Sequence, residues 1–433
     1  MTPVERLFAL EQFGIKLGLD AMRTLCAALG HPERRCTVVH VAGTNGKGSV
    51  TAMTARGLAA AGLRTGRYTS PHLIDLAERI AIDDRAIDAE ALSHAVSRVL
   101  AVERRERDAG RIAAPMTFFE LCTAAAFVAF AEAGCDAAVI EVGLGGRFDA
   151  TNVVTPAITA ITNIAMDHMA HLGTTIHAIA FEKAGIIKPG VPVVAGAMPA
   201  DARATIAGVA LAAASPVVDA RERVRLLDEG RDTAGRTRVV VEGERASYGA
   251  LTLGLRGAHQ VSNAAVAVAL LEGLAPTHDI APHAVRSALS ETRWPGRLDM
   301  HALPSGAHVL LDAAHNGDGA RALAGYLAEI GWNDATCVLG VMRDKDAGEM
   351  IDALAPHVSS FIATQASTPR ARAADDLAAL VRERCDVAAR VVTDVADALD
   401  AGMASAARVV VCGSIYLLGD VLPLLGRRGA WPA

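Results

Sequence analysis

The chain has 433 residues, of which 52% are hydrophobic and 21% are charged, and its formal net charge is −6. This length exceeds what one hydrophobic core usually supports, so we expect two or three domains. The slightly acidic balance, without a run of Lys or Arg, excludes the electrostatic footprint of a nucleic-acid or membrane-surface protein.

Cysteine usage and the apolar segments indicate the compartment. The seven cysteines include no C-x-x-C pair, so zinc and redox motifs are unsupported and a reducing compartment is favoured. The N-terminus lacks the pattern of a secretory signal, and the most apolar stretches, 124–130 and 264–271, are too short to span a bilayer. We therefore expect a cytoplasmic protein.

The first strong pattern follows two predicted helical pieces within residues 1–35. The β-branched run 38–41 predicts a buried strand, and a helical pattern covers 49–61. The turn Gly43-Thr-Asn-Gly-Lys-Gly-Ser49 lies between them and directs backbone N–H groups and a helix N-terminus at an anion. Lys47 adds a charge suited to β- and γ-phosphates, and the Ser49 hydroxyl is placed to reach magnesium.

This turn departs from the common phosphate-loop pattern. Val41 stands where the first glycine is expected, and Gly48 separates the lysine from the serine. A bare Gly-Lys-Gly could be an ordinary turn, but the flanking strand and helix favour nucleotide binding. The departure argues against a standard kinase or GTPase loop.

Strands and helices then alternate along the chain. A short strand at 65–69 ends in Ser70-Pro71-His72. Helices are predicted at 88–107, 118–133, 176–187 and 262–274, and strands at 137–141, 157–162 and 192–195. Residues 216–255 predict a β-rich extension. The alternation indicates a mostly parallel sheet.

Trp294-Pro-Gly296 separates this region from a second α/β region. Its strands are predicted at 309–312, 337–340, 361–364, 390–393 and 409–412, with helices in the intervals. We place the boundary at 294–297, which gives domains of residues 1–295 and 296–433.

Polar residues follow the strands of the first region. Glu141 ends one strand, and Asp167 and His168 follow the next. Alone, a carboxylate at a strand end could be a structural or solvated residue, and a histidine there is more often a satisfied loop residue than a ligand. Because the carboxyl ends of parallel strands share one edge, these residues together with Ser70 predict a mixed oxygen and nitrogen magnesium site.

Three other positions leave alternatives open. Lys183, on an apolar helix, is either a snorkelling surface lysine or a buried amine of lowered pKa that could take up carbon dioxide as a carbamate. Asp312-Ala-Ala-His315-Asn316 ends a strand and either carries chemistry or simply caps a helix through Asn316. Arg297 either reaches a phosphate across a domain cleft or is exposed.

Taken together, the motifs resemble those of the folylpolyglutamate synthase and dihydrofolate synthase family, which belongs with the Mur ligases. The matching segments run in family order across nearly the whole chain: 43–49, 68–72, 117–120, 141–147, 149–152, 182–186, 259–263, 294–297, 344–346 and 413–416. The resemblance implies an N-terminal P-loop-type ATPase domain of Mur ligase type with a mostly parallel sheet. It also implies a smaller C-terminal Rossmann-like α/β domain.

The same resemblance implies roles for individual residues. The residues implied to bind ATP are Asn45, Gly46, Lys47, Gly48, Ser49, Asn263, Arg297 and Asp312. Those implied to hold magnesium, as two ions, are Ser49, Ser70, Glu141 and His168. Lys47, a carbamylated Lys183 and His315 are implied to be catalytic. The implied acid and glutamate contacts are Leu17, Gly18, Leu19, Asp20, Thr117, Phe118, Phe119, Glu120, Phe148, Asp149, Ala150 and Ser414.

The implied activity is ATP-dependent addition of L-glutamate to dihydropteroate and to the γ-carboxyl of reduced folates. ATP converts the carboxylate into an acyl phosphate, the two domains close to exclude water, and the amine of glutamate displaces phosphate. We expect a monomer acting on small molecules, without a nucleic-acid or membrane partner. Alternatives are a monofunctional folylpolyglutamate synthase, a Mur-type ligase acting on a UDP-sugar peptide, and a nucleotide-binding switch without ligase activity.

Overall fold

The computed structural model describes residues 1–10 and 18–432. Contacts divide the chain into two compact units. The first unit contains Met1–Leu227, Val240–Leu251 and Ser262–Thr292. The second unit contains Asp228–Val239, Thr252–Val261 and Arg293–Ala433. Among the described residues, no helix has both the length and the apolar character that crossing a membrane requires.

An eight-stranded sheet forms the centre of the first unit. Its strands are β1 Thr37–Ala42, β2 Thr65–Tyr68, β3 Ile80–Ile82, β4 Arg85–Ala86, β5 Ala137–Glu141, β6 Ile158–Ile161, β7 Val193–Ala195 and β8 Val217–Asp219. They lie in the order β4-β3-β2-β5-β1-β6-β7-β8. All pairs from β2 to β8 are parallel, and β3 and β4 add an antiparallel edge. Helices cover both faces of such a sheet, which is why β1 and β5 are nearly continuous apolar runs.

Eleven α-helices accompany this sheet among the described residues. They are α1 Pro3–Phe8, α2 Asp20–Ala28, α3 Lys47–Ala60, α4 Ala89–Asp108, α5 Phe118–Glu132, α6 Met169–Leu172, α7 Ile176–Ala184, α8 Ala200–Ala212, α9 Ala220–Arg223, α10 Ala258–Leu274 and α11 Pro282–Glu291. The core on one face contains the rings of Tyr68, Phe127 and Phe130, which are almost fully buried. A second cluster packs α7 and α8 through Ile179 and Ile206.

The β-rich extension forms a three-stranded sheet. Its strands are β9 Arg225–Arg231, β10 Thr237–Glu242 and β11 Ser247–Thr252, in the order β11-β10-β9. Thr237, Val239 and Val241 are buried, and their neighbours along β10 are exposed or half-buried. This period of two is the pattern of a strand with one covered face. The predicted extension is confirmed for residues 225–252, whereas 217–219 form β8 of the eight-stranded sheet and 220–223 form a helix.

The second unit contains a seven-stranded sheet. Its strands are β12 Asp299–Ala302, β13 His308–Asp312, β14 Ala335–Leu339, β15 Val358–Ala363, β16 Ala388–Val391, β17 Arg408–Cys412 and β18 Trp431–Pro432, in the order β16-β15-β14-β17-β13-β12-β18. Its helices are α12 Gly317–Glu329, α13 Ala347–Leu354, α14 Ala374–Arg384, α15 Val395–Ser405 and α16 Ile415–Arg427. The five strands from β16 to β13 are parallel, and β12 and β18 are antiparallel.

The fold class predicted from the sequence is confirmed. All five strands predicted beyond residue 308 are present as β13, β14, β15, β16 and β17. The antiparallel edge strands β12 and β18 were missed, because β18 has two residues and β12 carries the polar residues Asp299 and His301. The boundary at 294–297 stays a prediction.

Candidate active site

The turn between β1 and α3 has a backbone that requires glycine at two positions. Gly43 has φ 150° and Gly46 has φ 83°, both in the region that L side chains rarely adopt. A Cβ at Gly43 would overlap the hydroxyl of Thr162, and one at Gly46 would overlap the amide oxygen of Asn263. Glycines at these two positions let the turn run tightly into the N-terminus of α3. The backbone N–H groups and the helix dipole at that N-terminus favour an anion.

The end of β6 holds this turn in place. The backbone N–H of Thr44 donates to the carbonyl of Asn163 at 2.9 Å. The N–H of Asn45 donates to the Asn163 side-chain oxygen at 2.7 Å, and the Thr162 hydroxyl donates to the Asn45 carbonyl at 2.6 Å. Since β6 is the parallel neighbour of β1, the anion-binding turn is fixed by residues more than a hundred positions away.

The side chain of Lys47 bonds to the backbone of the turn that carries it. The ammonium of half-buried Lys47 donates to the carbonyl of Thr44 at 3.1 Å. Ser49, in the first turn of α3, is 2% exposed. The Lys47 ammonium thus lies at the turn, and phosphate oxygens are acceptors that suit it.

Two of the four predicted magnesium ligands are in contact. Ser70 follows β2, and its backbone N–H donates to the buried carboxylate of Glu141 at 3.2 Å. His168 has φ 50°, and its N–H donates to Asp167 at 2.8 Å. Among the described residues, no three His, Cys, Asp or Glu side chains lie together as a metal-binding group.

The donor chemistry at this edge nevertheless fits magnesium. Mg²⁺ prefers oxygen ligands, keeps several waters and is usually held by one or two carboxylates together with substrate phosphates. Glu141 and the hydroxyls of Ser49 and Ser70 are oxygen donors of this kind. A cluster of three acids is therefore not required for a magnesium–nucleotide site.

Lys183 is a buried amine. It is 4% exposed, and its Nζ donates to the carbonyl of Gly43 at 2.8 Å. Burial, followed by the positive charge of Lys47, lowers the pKa of Lys183 from 10.5 to about 7. This amine is thus substantially neutral near pH 7 and can act as a nucleophile. The surface-lysine alternative is excluded by this burial.

In the second unit the loops after β13 and β17 are adjacent. The carboxylate of Asp312 accepts from the N–H of Leu298 at 2.8 Å and from that of Ala314 at 2.9 Å. The N–H of Gly413, which precedes Ser414, donates to the carbonyl of Ala314 at 2.9 Å. These bonds bring two predicted site residues, Asp312 and Ser414, to neighbouring loops at one strand-end edge.

Two predicted residues of this unit also stabilise local structure. His315 Nδ1 lies 2.9 Å from the Ala313 carbonyl, so Nδ1 carries the proton of the neutral ring and Nε2 is an acceptor. The Ser414 hydroxyl caps α16 by accepting from the N–H of Tyr416 at 3.1 Å. Asn316 caps α12, as the capping alternative predicted. Arg297 is half-buried, and its N–H donates to the Trp294 carbonyl at 3.3 Å.

Comparisons with known proteins identify the family. Residues 41–271 match the Mur ligase middle domain, and residues 296–415 match the Mur ligase glutamate ligase domain. The chain is 36% identical over 423 residues to the dihydrofolate synthase/folylpolyglutamate synthase of Bacillus subtilis, which covers 95% of each chain. The chain belongs to the dihydrofolate synthase/folylpolyglutamate synthase family of Mur ligases. It is an ATP-dependent ligase that joins a carboxylic acid to an amino acid.

Two further comparisons show the extent of the likeness. A probable bifunctional folylpolyglutamate synthase/dihydropteroate synthase of Haloferax volcanii is 36% identical over 96% of this chain, but the chain spans only 49% of that protein. The Mycobacterium tuberculosis folylpolyglutamate synthase complexed with ADP and AMPPCP superimposes with a TM-score of 0.91 at 33% identity, covering 99% of both chains. The likeness to this structure therefore extends over the whole fold.

In this synthase-family chain, two of the predicted acid contacts start a helix. Thr117 and Glu120 form a capping box at α5. The Glu120 carboxylate accepts from the N–H of Thr117 at 2.7 Å and from its hydroxyl at 2.8 Å. Between them, Phe118 is buried and Phe119 is half-buried. The polar atoms of this motif thus hold the helix start, and its contact with the acid stays a prediction.

Asp149, another predicted acid contact, closes its own loop. Its buried carboxylate accepts from the N–H of Leu144 at 2.8 Å and from the N–H and hydroxyl of Thr151. Burial raises the pKa of Asp149. Phe148 is 43% exposed, while Ala150 is 5% exposed. Phe148 is therefore the member of this trio that a ligand can reach most easily.

The predicted contacts near α2 lie at the start of that helix. Gly18 has φ 134°, Leu19 is the buried N-cap residue, and exposed Asp20 accepts from Arg23 at 3.2 Å. Leu17 lies outside the described residues.

Sequence reasoning missed the residues that brace the site. Besides Thr162 and Asn163, they include His40 of β1, which is fully buried with Nε2 2.9 Å from the Thr151 hydroxyl. Burial lowers the pKa of His40 to about 3, so this histidine is neutral. The one sequence signal for His40 was a polar residue inside the apolar run of β1. Its partner, Thr151, lies more than a hundred positions away and could not be read from the sequence.

Proposed function

We propose that this ligase adds L-glutamate to a pteroyl acid, either dihydropteroate or a reduced folate, through an acyl phosphate. The observation that carries the proposal is the anion-binding turn with Lys47 at the end of β1. Glu141 ends the paired strand β5, and the buried amine of Lys183 reaches the turn from α7. The names of the relatives support the choice of acid. The motifs at 68–72 and 117–120 favour a pteroyl acid over a UDP-sugar peptide.

The chemistry follows from the weakness of a carboxylate as an electrophile. The N–H groups of the turn and Lys47 orient the triphosphate, and the Lys47 charge stabilises the phosphoryl group during transfer to the acid. The carbon–oxygen bond of the acyl phosphate then breaks as the glutamate amine attacks, and phosphate leaves. Magnesium, when bound, neutralises phosphate charge. Its proposed protein ligands are Ser49, Ser70, Glu141 and His168.

We propose in addition that Lys183 reacts with carbon dioxide. The neutral Nζ forms a nitrogen–carbon bond, one proton leaves the nitrogen, and the product is a carbamate with one negative charge. The lowered pKa supplies the neutral amine this step needs. The resulting anion would lie where Lys183 now donates to the turn, close to the charge of Lys47.

The remaining predicted contacts complete the proposal. Asn263, beside Gly46, is assigned to the nucleotide, as are Arg297 and Asp312. His315 and Ser414 are assigned to the reacting acid and glutamate.

The test is an assay of the purified protein with ATP, glutamate and one acid at a time. Dihydropteroate, a reduced folate monoglutamate and a UDP-sugar peptide are compared by ADP release and product mass. We expect turnover with a pteroyl acid that requires glutamate. Turnover of the reduced folate alone would indicate the monofunctional alternative. ATP hydrolysis indifferent to both acid and amino acid would overturn the proposal in favour of a nucleotide switch.

A further inference from the structure

A cluster of aromatic rings lies around His72, two residues after Ser70, and Phe118 is its one member that is assigned above. The Phe8 ring stacks on Phe118 with centroids 5.6 Å apart, and the His72 ring meets Phe8 edge-on at 6.3 Å. The Arg79 guanidinium lies 5.1 Å from the centre of the Phe118 ring. We name these four residues the Phe8–His72 cluster. Phe8 is 39% exposed, so the cluster presents an open ring surface.

The hydrogen bond between Arg79 and His72 fixes the histidine tautomer. Nε of Arg79 donates to Nδ1 of His72 at 2.9 Å. Because a guanidinium has donors only, Nδ1 must be the acceptor, and the neutral ring carries its proton on Nε2. Arg79 is 7% exposed and packs on Phe118, so it cannot easily swing away. His72 therefore presents one N–H donor in a fixed orientation.

The loop that carries His72 is itself held rigidly. The carboxylate of Glu78 accepts from three successive backbone N–H groups, at 2.8, 3.0 and 2.9 Å, those of Leu73, Ile74 and Asp75. On the other side, the N–H of Ser70 donates to Glu141. The loop thus starts at the carboxyl end of β2, beside the end of β5, where ligands of parallel sheets collect.

We propose that His72 is a substrate-binding residue, whose Nε2–H donates to an acceptor on the ring system of the acid while that ring packs against the exposed ring of Phe8, which Phe118 supports from behind. A flat heteroaromatic acid offers both features that the cluster matches, a ring face and ring nitrogen or carbonyl acceptors. This inference rests on the proposed function and deepens it, because it adds Phe8, His72 and Arg79 to the acid site.

Replacing His72 by asparagine or by glutamine tests the Nε2–H donor separately from the other contacts of the side chain. A glutamine amide nitrogen reaches about the position of Nε2, whereas an asparagine amide reaches only that of Nδ1. We expect His72→Asn to raise KM for the acid on the order of 5- to 10-fold, the usual effect of one neutral hydrogen bond. We expect His72→Gln to stay within about 2- to 3-fold of the wild type, since it keeps the donor. KM for ATP and for glutamate should not change in either variant.

Exposed His94, bonded to Glu132 on the α4–α5 surface, provides the matched control. His94→Asn should leave all three KM values unchanged, and circular dichroism should show that every variant is folded. Equal acid KM for His72→Asn and the wild type would overturn the role of His72, as would an equal rise in all three KM values. Turnover by the wild type with none of the acids would instead overturn the proposed function, and this inference with it.

Discussion

The carboxyl edges of the two parallel sheets use buried polar groups differently. At the edge of the first sheet, Lys183 is buried on a single backbone carbonyl and has a strongly lowered pKa. At the edge of the second sheet, both oxygens of Asp312 accept backbone N–H groups, and Ser414 caps a helix. The first edge therefore keeps reactive groups poorly solvated, whereas the second uses its polar groups to shape loops.

Of the substitutions at the two edges, Lys47→Ala is expected to have the largest effect. Loss of the charge over the anion-binding turn should lower kcat for acid-dependent ADP release by about 10²- to 10³-fold, as for other groups that stabilise developing charge. Far-ultraviolet circular dichroism should be unchanged, since the half-buried Lys47 side chain lies at the surface of the turn and bonds to the Thr44 carbonyl of that same turn. A loss of less than tenfold in a folded variant would remove Lys47 from the chemistry.

The pH dependence of stability tests whether Lys183 is buried as an uncharged amine. The folded pKa of about 7 lies below the ordinary value of 10.5, so between these values the unfolded chain binds more protons and the wild type gains stability as pH rises. Relative to Lys183→Met, the wild type should gain about 2 kcal/mol between pH 7 and pH 9. Urea unfolding in buffers free of carbon dioxide, followed by circular dichroism, measures this difference. Parallel pH curves for the two proteins would contradict the burial.

Asp312→Asn should act on the stability of the second unit. The amide keeps one acceptor but turns an NH₂ group toward a backbone N–H, which should cost about 1–3 kcal/mol. All three tryptophans, Trp294, Trp332 and Trp431, belong to this unit, so their fluorescence reports its unfolding selectively. An unchanged urea midpoint in fluorescence would show that the two N–H bonds of Asp312 do not shape the loop.

Ser414→Ala is expected to have the smallest effect. Loss of the cap on α16 should cost about 1 kcal/mol in the same fluorescence assay. Ser405→Ala is the control, because the exposed Ser405 hydroxyl bonds only to a carbonyl of its own helix and should have almost no effect. Equal midpoints for the two variants would contradict the capping role.

The phosphate-binding part of the first edge was predictable from the sequence because it is local. The strand, the glycines and Lys47 fall within a dozen residues, so periodicity and turn chemistry suffice. Its braces, Thr162 and Asn163, were not predictable. They depend on β1 and β6 being neighbours, and that pairing joins segments about 120 residues apart.

For the predicted acid contacts, the sequence pattern predicts the local structure but not the contact with substrate. The Thr-x-x-Glu pattern at 117–120 is a capping box that the sequence already displays, and the structure contains that box. The Asp149-x-Thr151 spacing is likewise typical of a turn closed by its own side chain. Their substrate roles stay predictions. His72 was passed over because its fixed tautomer depends on Arg79, seven residues away across a folded loop.

In the proposed reaction the acid is activated by phosphorylation before glutamate attacks. An acid labelled with ¹⁸O in its carboxylate tests this claim directly, by mass spectrometry of the inorganic phosphate released with ADP. Each phosphate formed through an acyl phosphate should contain one ¹⁸O atom, since the carboxylate oxygen leaves with phosphorus. Phosphate that contains no ¹⁸O, in a reaction that still forms the amide, would contradict it.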